Sequence, residues 1–348
     1  MNLHEFYMRR CLELAQLGLG SVAPNPMVGA VIVLDDKVIG EGYHEIFGGP
    51  HAEVNAIGAV KDKSVLNNAT IYVSLEPCSH HGKTPPCADL IIKHGFKKVV
   101  IGCQDTFSEV SGKGVQRLKD AGIEVEIGIL EHEARNLNKR FFTFHEDHRP
   151  YIILKWAQSQ NGYIDIQRSD NNTGIHWITQ PETKKLVHKW RSEEMAILVG
   201  KNTVLNDNPS LTVRNWKGAN PVRIVLDSNL EIPNNASILN DVAPTIVLNK
   251  IQNGADKTIQ YIKLKDMQPK NILDSLYQLN IQSIIIEGGK TVLQAFINKD
   301  LWDEARILIG INPIDNGEKA PILERNSNNA SIHCSKFGKD QIEIVRRS

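Results

Sequence analysis

His51-Ala52-Glu53 and Pro77-Cys78-Ser79-His80-His81-Gly82-Lys83-Thr84-Pro85-Pro86-Cys87 are the two stretches on which the reading of this chain turns. Together they offer one imidazole and two thiols, donors suited to tetrahedral Zn2+, and three protein ligands leave a fourth position open, as catalytic zinc sites do. Taken singly, His51 reads as a packed or surface histidine and each cysteine as a small buried hydrophobe. In combination, with a carboxylate alongside, they read as a metal centre at His51, Cys78 and Cys87. Glu53 follows His51 too closely to be a fourth ligand and is placed to move a proton on and off metal-held water. His80 and His81 can compete as ligands; with both cysteines present they read as loop residues.

Composition bounds the rest. A chain of 348 residues exceeds one typical core, so two domains are expected. Forty Lys plus Arg against forty Asp plus Glu remove any whole-chain electrostatic case for nucleic-acid or membrane binding. Five cysteines (Cys11, Cys78, Cys87, Cys103, Cys334) are too few and too odd for a disulfide framework and fit a reducing compartment. The first ten residues contain no apolar leader core and no later run approaches a membrane span, so a cytoplasmic protein is expected.

Along the first half, Leu3 to Leu17 reads as an amphipathic helix ended by Gly18 and Gly20. Val28 to Leu34 and Val38 to Tyr43 read as a hairpin about Asp35-Asp36. His51 to Val60 forms a helix, Thr70 to Leu75 a buried strand delivering Glu76-Pro77-Cys78, and a second helix starts near Pro86. His51 and Cys87 thus both sit at helix starts, where a thiolate is favoured. Val99 to Gly102 and Ile123 to Ile127 add strands, with helices at Val115 to Ala121 and Glu131 to Phe141. The alternation implies an α/β/α layered sheet.

The H-x-E and P-C pattern is similar to that of zinc deaminases of bases and nucleosides, except that eight residues rather than two separate the cysteines. Read with Pro24-Asn25-Pro26-Met27-Val28-Gly29 and Gly42-Tyr43-His44, the two motifs resemble the deaminase half of the bifunctional riboflavin-biosynthesis deaminase/reductase family. There the long loop is normal. The resemblance implies a cytidine-deaminase-like fold, and that Asn25 and His44 line a pyrimidine pocket. A turn-stabilising Asn and a strand-end His are the alternatives.

The polar run Glu146 to Pro150 precedes a fresh strand, Tyr151 to Lys155, and marks the boundary between domains 1–147 and 148–348. The second domain has no metal spacing, no G-x-G-x-x-G and no Walker A motif. Three features stand out: the strand, glycine turn and helix of Ile284 to Leu293; His176-Trp177-Ile178-Thr179 with a helix through Arg191 and the strand Ala196 to Val199; and the polar loop from Gly200 to Arg214. Glycines at a helix start let N–H groups approach phosphate, although such turns are also common connectors. Arg214 is either a solvated charge or a phosphate clamp. With Val225-Leu226-Asp227-Ser228, these segments resemble the dihydrofolate-reductase-like reductase half of the same family. The resemblance implies that Ala157, Trp177, Thr203, Asp207, Ser228 and Gly289 contact NADPH. It places Lys155, Arg191, Leu211, Arg214 and Glu287 at a ribityl-phosphate site. Asn161 and Ile175 depart from the family pattern.

The expected function is zinc-dependent deamination of a pyrimidine ribotide followed by NADPH reduction of its ribosyl group. Small-molecule substrates and association into homo-oligomers go with that resemblance, without nucleic-acid or membrane partners. A nucleic-acid deaminase with an accessory domain would need a basic groove and stacking aromatics, whereas aromatics are only 6% of this chain. A structural zinc module joined to a ligand-binding regulator would fill all four metal positions.

Overall fold

Glycine spacing in one edge strand sets how closely the first helix of the metal motif can approach its sheet. In the computed structural model, which describes residues 2–79, 85–106, 112–168, 173–324 and 330–347, the chain forms two units, Met1–His148 and Arg149–Ser348. His80 and His81 lie outside the described residues.

In the first unit α1 (Leu3–Gln16) leads to β1 (Gly29–Leu34), β2 (Lys37–Tyr43), α2 (Ala52–Ala59), β3 (Thr70–Leu75), α3 (Cys87–His94), β4 (Lys98–Cys103), α4 (Lys113–Asp120), β5 (Glu124–Ile127), α5 (Glu131–Leu137) and α6 (Lys139–Glu146). The described strands form one sheet in the order β2-β1-β3-β4-β5, antiparallel at β2-β1-β3 and parallel thereafter. Alternation along β1 divides the core. Ala30 and Ile32 face α2, α3 and α4 through Ala56, Ile91 and Leu118. Val31 and Val33 face α1 through Tyr7, Met8 and Cys11. The result is the expected three-layer sandwich.

Period two also governs β2. Glu41 takes a two-pronged ion pair from Arg10 of α1, at 2.8 and 2.9 Å. Gly40 and Gly42 lie beneath α2, where a Cβ would stand 2.5 Å from Ala56 O and 2.3 Å from Ala56 N respectively. Asn55 Nδ2 donates to Tyr43 O at 2.8 Å and fixes the helix along the strand.

One sequence expectation is corrected. The helix expected over Glu131 to Phe141 is two helices, α5 and α6, broken at Asn138. That side chain is buried and turned inward, accepting from Met27 N and donating to Met27 O, each at 2.8 Å. Tertiary hydrogen bonds of a buried amide override the apolar pattern around it.

The second unit runs β6 (Tyr151–Gln158), β7 (Tyr163–Ile166), α7 (Pro181–Glu193), β8 (Ala196–Gly200), α8 (Lys201–Asp207), β9 (Val222–Leu226), β10 (Thr245–Asn249), β11 (Gly254–Asp256), β12 (Ile259–Lys263), α9 (Pro269–Gln278), β13 (Ser283–Ile286), α10 (Lys290–Asn298), β14 (Glu304–Ile309), β15 (Gly317–Lys319), β16 (Ala330–Phe337) and β17 (Asp340–Arg347). Its main sheet, among the described residues, has the order β11-β12-β10-β9-β8-β13-β6-β14-β17-β16. The strands from β12 to β14 are parallel. Such strands are covered on both faces and read as continuous apolar runs; Ile284 and Ile286 enter one core, Ile285 the other. From β8 the chain steps outward through β9 and β10, then returns to insert β13 between β8 and β6. The strand order thus reverses at β8-β13-β6, the kind of switch point beside which open α/β sheets bind ligands. No helix among the described residues is long and apolar enough to cross a membrane.

Replacing Gly42 by Ala should lift α2 from β2. We expect destabilisation of the first unit by about 1–3 kcal/mol and weaker zinc retention, measured by thermal unfolding and bound-metal analysis. A variant as stable as the parent would show that the contact carries no constraint.

Candidate functional site

The metal motif assembles at the ends of three elements. His51 is the N-cap residue of α2 but makes no capping bond with its side chain; its imidazole turns toward the cysteines. Cys78 lies just beyond β3 and Cys87 opens α3. One donor atom from each of the three lies within 4.8 Å of the others. His51 Nδ1 is 3.6 Å from Cys78 Sγ and 3.3 Å from Cys87 Sγ. Tetrahedral Zn2+ with bonds of about 2.0–2.1 Å to nitrogen and 2.3 Å to sulfur puts such pairs about 3.6 Å apart. The donor set fits zinc in identity and spacing.

Electrostatics favour ligand-ready cysteine. Cys78 is drawn down to about 4, first by the Cys87 thiol hydrogen-bonded to it and then by His51 against the opposing effect of burial. Cys87 is pushed up for the reciprocal reason. Of the two thiols, Cys78 is therefore the more readily ionised. The Cys87 N–H at the start of α3 donates to it at 3.3 Å.

Glu53, in the first turn of α2, is 3% exposed. Burial, followed by the negative charge of Cys78, raises its carboxyl to about 7. A carboxyl so tuned both accepts and donates a proton near neutrality.

Asn25 and His44 come to the same place. The His44 and His51 rings meet edge to face, with centroids 5.5 Å apart. His44 Nδ1 lies 2.9 Å from Pro50 O, a group that only accepts, so Nδ1 carries the proton. Its Nε2 then accepts from Asn25 Nδ2 at 3.0 Å. Burial lowers the His44 pKa, consistent with the neutral ring. Asn138, which no motif flagged, anchors Met27 two residues beyond Asn25.

In the second unit, Glu287 follows β13 and accepts from Arg191 on α7, Nη2 to Oε2 at 2.8 Å and Nε to Oε1 at 3.2 Å. Lys155 Nζ on β6 lies 3.7 Å from Glu287 Oε2. Burial acts to raise the Glu287 carboxyl, but Arg191 and Lys155 outweigh it and hold the group down at about 2. Lys155 is lowered mainly by its burial. Arg214 is exposed, with Nη1 donating to Thr212 Oγ1 at 3.0 Å. Its backbone N–H donates to His188 Nδ1 at 3.3 Å. His188 was not singled out from sequence, although its spacing from Arg191 puts both on one helix face. Leu211 is buried in the same loop at φ 52°.

Gly289 precedes α10, whose start has no side-chain cap, and its N–H donates to Thr203 Oγ1 at 3.2 Å. Uncapped N–H groups at a helix start beside a hydroxyl fit a dinucleotide phosphate. Ser228 and Ala157 lie at the ends of β9 and β6. Asp207 is engaged by Arg168 at 2.8 Å. Trp177 is exposed, with Lys184 Nζ 3.3 Å from its ring centroid. Among the described residues, no side-chain hydrogen bond joins Ala157, Trp177 or Ser228 to the Thr203–Gly289 pair. Asn161 braces a turn, donating to Ile314 O at 2.9 Å and accepting from Ile314 N at 3.0 Å. Ile175 is exposed, and nothing in the structure explains it.

Comparison with known proteins matches these two halves. Residues 1–103 match the cytidine and deoxycytidylate deaminase zinc-binding region, and residues 150–340 the RibD C-terminal domain. Riboflavin biosynthesis protein RibD of Aquifex aeolicus is 46% identical over 319 residues, 90% of this chain and 87% of that protein. Its Escherichia coli counterpart is 37% identical, covering 88% of this chain and 87% of that protein. A solved diaminohydroxyphosphoribosylaminopyrimidine deaminase/5-amino-6-(5-phosphoribosylamino)uracil reductase from Thermotoga maritima superposes with a TM-score of 0.89 at 37% identity, covering 99% of each chain. The chain therefore belongs to the RibD family of bifunctional riboflavin-biosynthesis enzymes, in which a zinc-binding deaminase domain is joined to a reductase domain.

Proposed function

We propose that the chain catalyses two consecutive steps on one pyrimidine ribotide. The first unit deaminates 2,5-diamino-6-(5-phosphoribosylamino)pyrimidin-4-one to the uracil; the second reduces its ribosyl group to a ribityl chain with NADPH. The observation that carries the reading is the convergence of His51, Cys78 and Cys87 with the buried Glu53 nearby.

When bound, Zn2+ supplies the Lewis acidity that makes water nucleophilic near neutral pH. Glu53 takes a proton from the attacking water and later gives one to the departing ammonia. Asn25 presents its amide to the pyrimidine. His44, with both ring nitrogens engaged, holds Asn25 in that orientation.

In the second unit NADPH, when bound, supplies the hydride. Thr203 and the turn at Gly289 hold its phosphates, and Ala157, Trp177, Asp207 and Ser228 contact the rest of the cofactor. Lys155 and Arg191 face one carboxylate, Glu287, so this buried cluster carries excess positive charge. Arg214, whose backbone N–H bonds His188 on the helix that carries Arg191, adds a further cation suited to a phosphorylated substrate, and Leu211 lies in the same loop as Arg214.

A free ribotide, rather than a base in a polynucleotide, fits forty basic against forty acidic residues. The edge of β16 carries exposed Ile332 and Phe337, which supports association into homo-oligomers. The free cysteines suit a reducing cytoplasm.

Glu53→Gln should keep its zinc and lose ammonia release by about 10²–10⁴-fold; metal analysis beside an ammonia assay decides it, and full activity would sink the assignment. Cys78→Ser should lose both zinc and deamination, yet still oxidise NADPH on substrate that is already deaminated. Arg214→Ala should raise the KM of reduction about tenfold or more, since a charged hydrogen bond contributes about 1.5–3 kcal/mol, while sparing ammonia release. Equal loss in both assays would mark misfolding instead.

A further inference from the structure

The peptide around Cys78 is gripped from the side of α4, by residues that the chemistry does not use. Glu76, two residues ahead of Cys78, is 4% exposed. Its Oε2 accepts from Asp105 N at 3.3 Å and Gly112 N at 3.1 Å, and its Oε1 from Val115 N at 3.1 Å. One carboxylate thus ties the end of β3 to the segment after β4 and to the start of α4, where negative charge is favoured by the helix dipole. Gly114 lets that first turn rest on the same peptide: a Cβ there would stand 2.1 Å from Pro77 O.

One turn further along α4, Arg117 Nη1 donates to Ser79 O at 3.1 Å, the residue after Cys78. The same nitrogen lies 2.9 Å from Asp89 Oδ1, on the helix that Cys87 begins. Both partners of that ion pair are about two-fifths exposed, 43% and 40%, so screening leaves it little Coulomb energy of its own. Its consequence is geometric, because α4 holds the chain on both sides of Cys78 and holds α3 as well.

We propose that Glu76 and Arg117 are positioning residues of the metal centre: without touching metal or substrate, they fix the Cys78 and Cys87 segments relative to each other and so set metal affinity. The proposal rests on reading His51, Cys78 and Cys87 as the zinc site. Outer partners that orient metal ligands commonly change affinity by about 10–100-fold when removed.

The test uses the full-length chain stripped of metal. Zinc affinity is read by competition with a chromophoric chelator, and ligand geometry by the visible spectrum of the Co2+ form. Arg117→Ala should fold normally, bind zinc about tenfold more weakly and show an altered cobalt spectrum. Arg117→Lys, which keeps the charge beside Asp89 but lacks the guanidinium fork, should recover part of the loss. Glu76→Gln, which turns an N–H toward a backbone donor, should weaken binding by about 10–100-fold. Gln116→Ala, on the exposed side of α4, should leave affinity unchanged. Parental affinity and spectrum in Arg117→Ala would overturn the proposal, as would lowered thermal stability with unchanged affinity. If Glu76→Gln does not fold, the partly exposed Arg117 decides alone. A parent chain that binds neither metal, like Cys78→Ser, would instead reject the zinc reading beneath it.

Discussion

Three donors carried on three separate segments must come within 4.8 Å of one another, and the first unit is built to that requirement. α2 reaches its place because Gly40 and Gly42 leave no side chain between strand and helix. β3, between β1 and β4, carries Cys78 to the rim of the sheet. The start of α3 then supplies both the Cys87 thiol and the N–H that steadies the Cys78 thiolate. Helix N-termini favour negative charge. Two of them therefore lower the cost of gathering thiolates and a carboxylate in a buried place.

Electrostatics organise the second unit differently. Glu287, Arg191 and Lys155 are mostly buried, with side-chain exposures of 9%, 12% and 12%. A buried ion pair gives little net stability, because desolvation offsets the attraction. Here two cations share one carboxylate, and the imbalance lies where the strand order reverses. That surplus of positive charge is the ground on which a phosphorylated substrate is proposed there.

What the sequence made legible depended on chemical irreplaceability. Few side chains can replace His51, Cys78, Cys87 or Glu53, so those residue types at their spacing announced the site. Glu76, Arg117, Asn138 and His188 gave no such signal. They act through hydrogen bonds to backbone N–H and C=O groups, which every residue has, and their partners are remote in sequence: Asn138 with Met27, Glu76 with Val115. The break between α5 and α6 was hidden for the same reason. Local periodicity continued across Asn138, while a contact 111 positions away decided its conformation.

Glu53 joins these themes, because its proton affinity is set chiefly by burial rather than by the ligands. Two thiolates and a neutral imidazole balance a dication, so the filled cluster carries no net charge. The repulsion from Cys78 is thereby largely cancelled when zinc binds, whereas desolvation stays. Burial therefore keeps the carboxyl poised for proton transfer, and α2 must lie tight against β2 to maintain it. The close helix–strand contact at Gly42 serves ligand spacing and proton chemistry together.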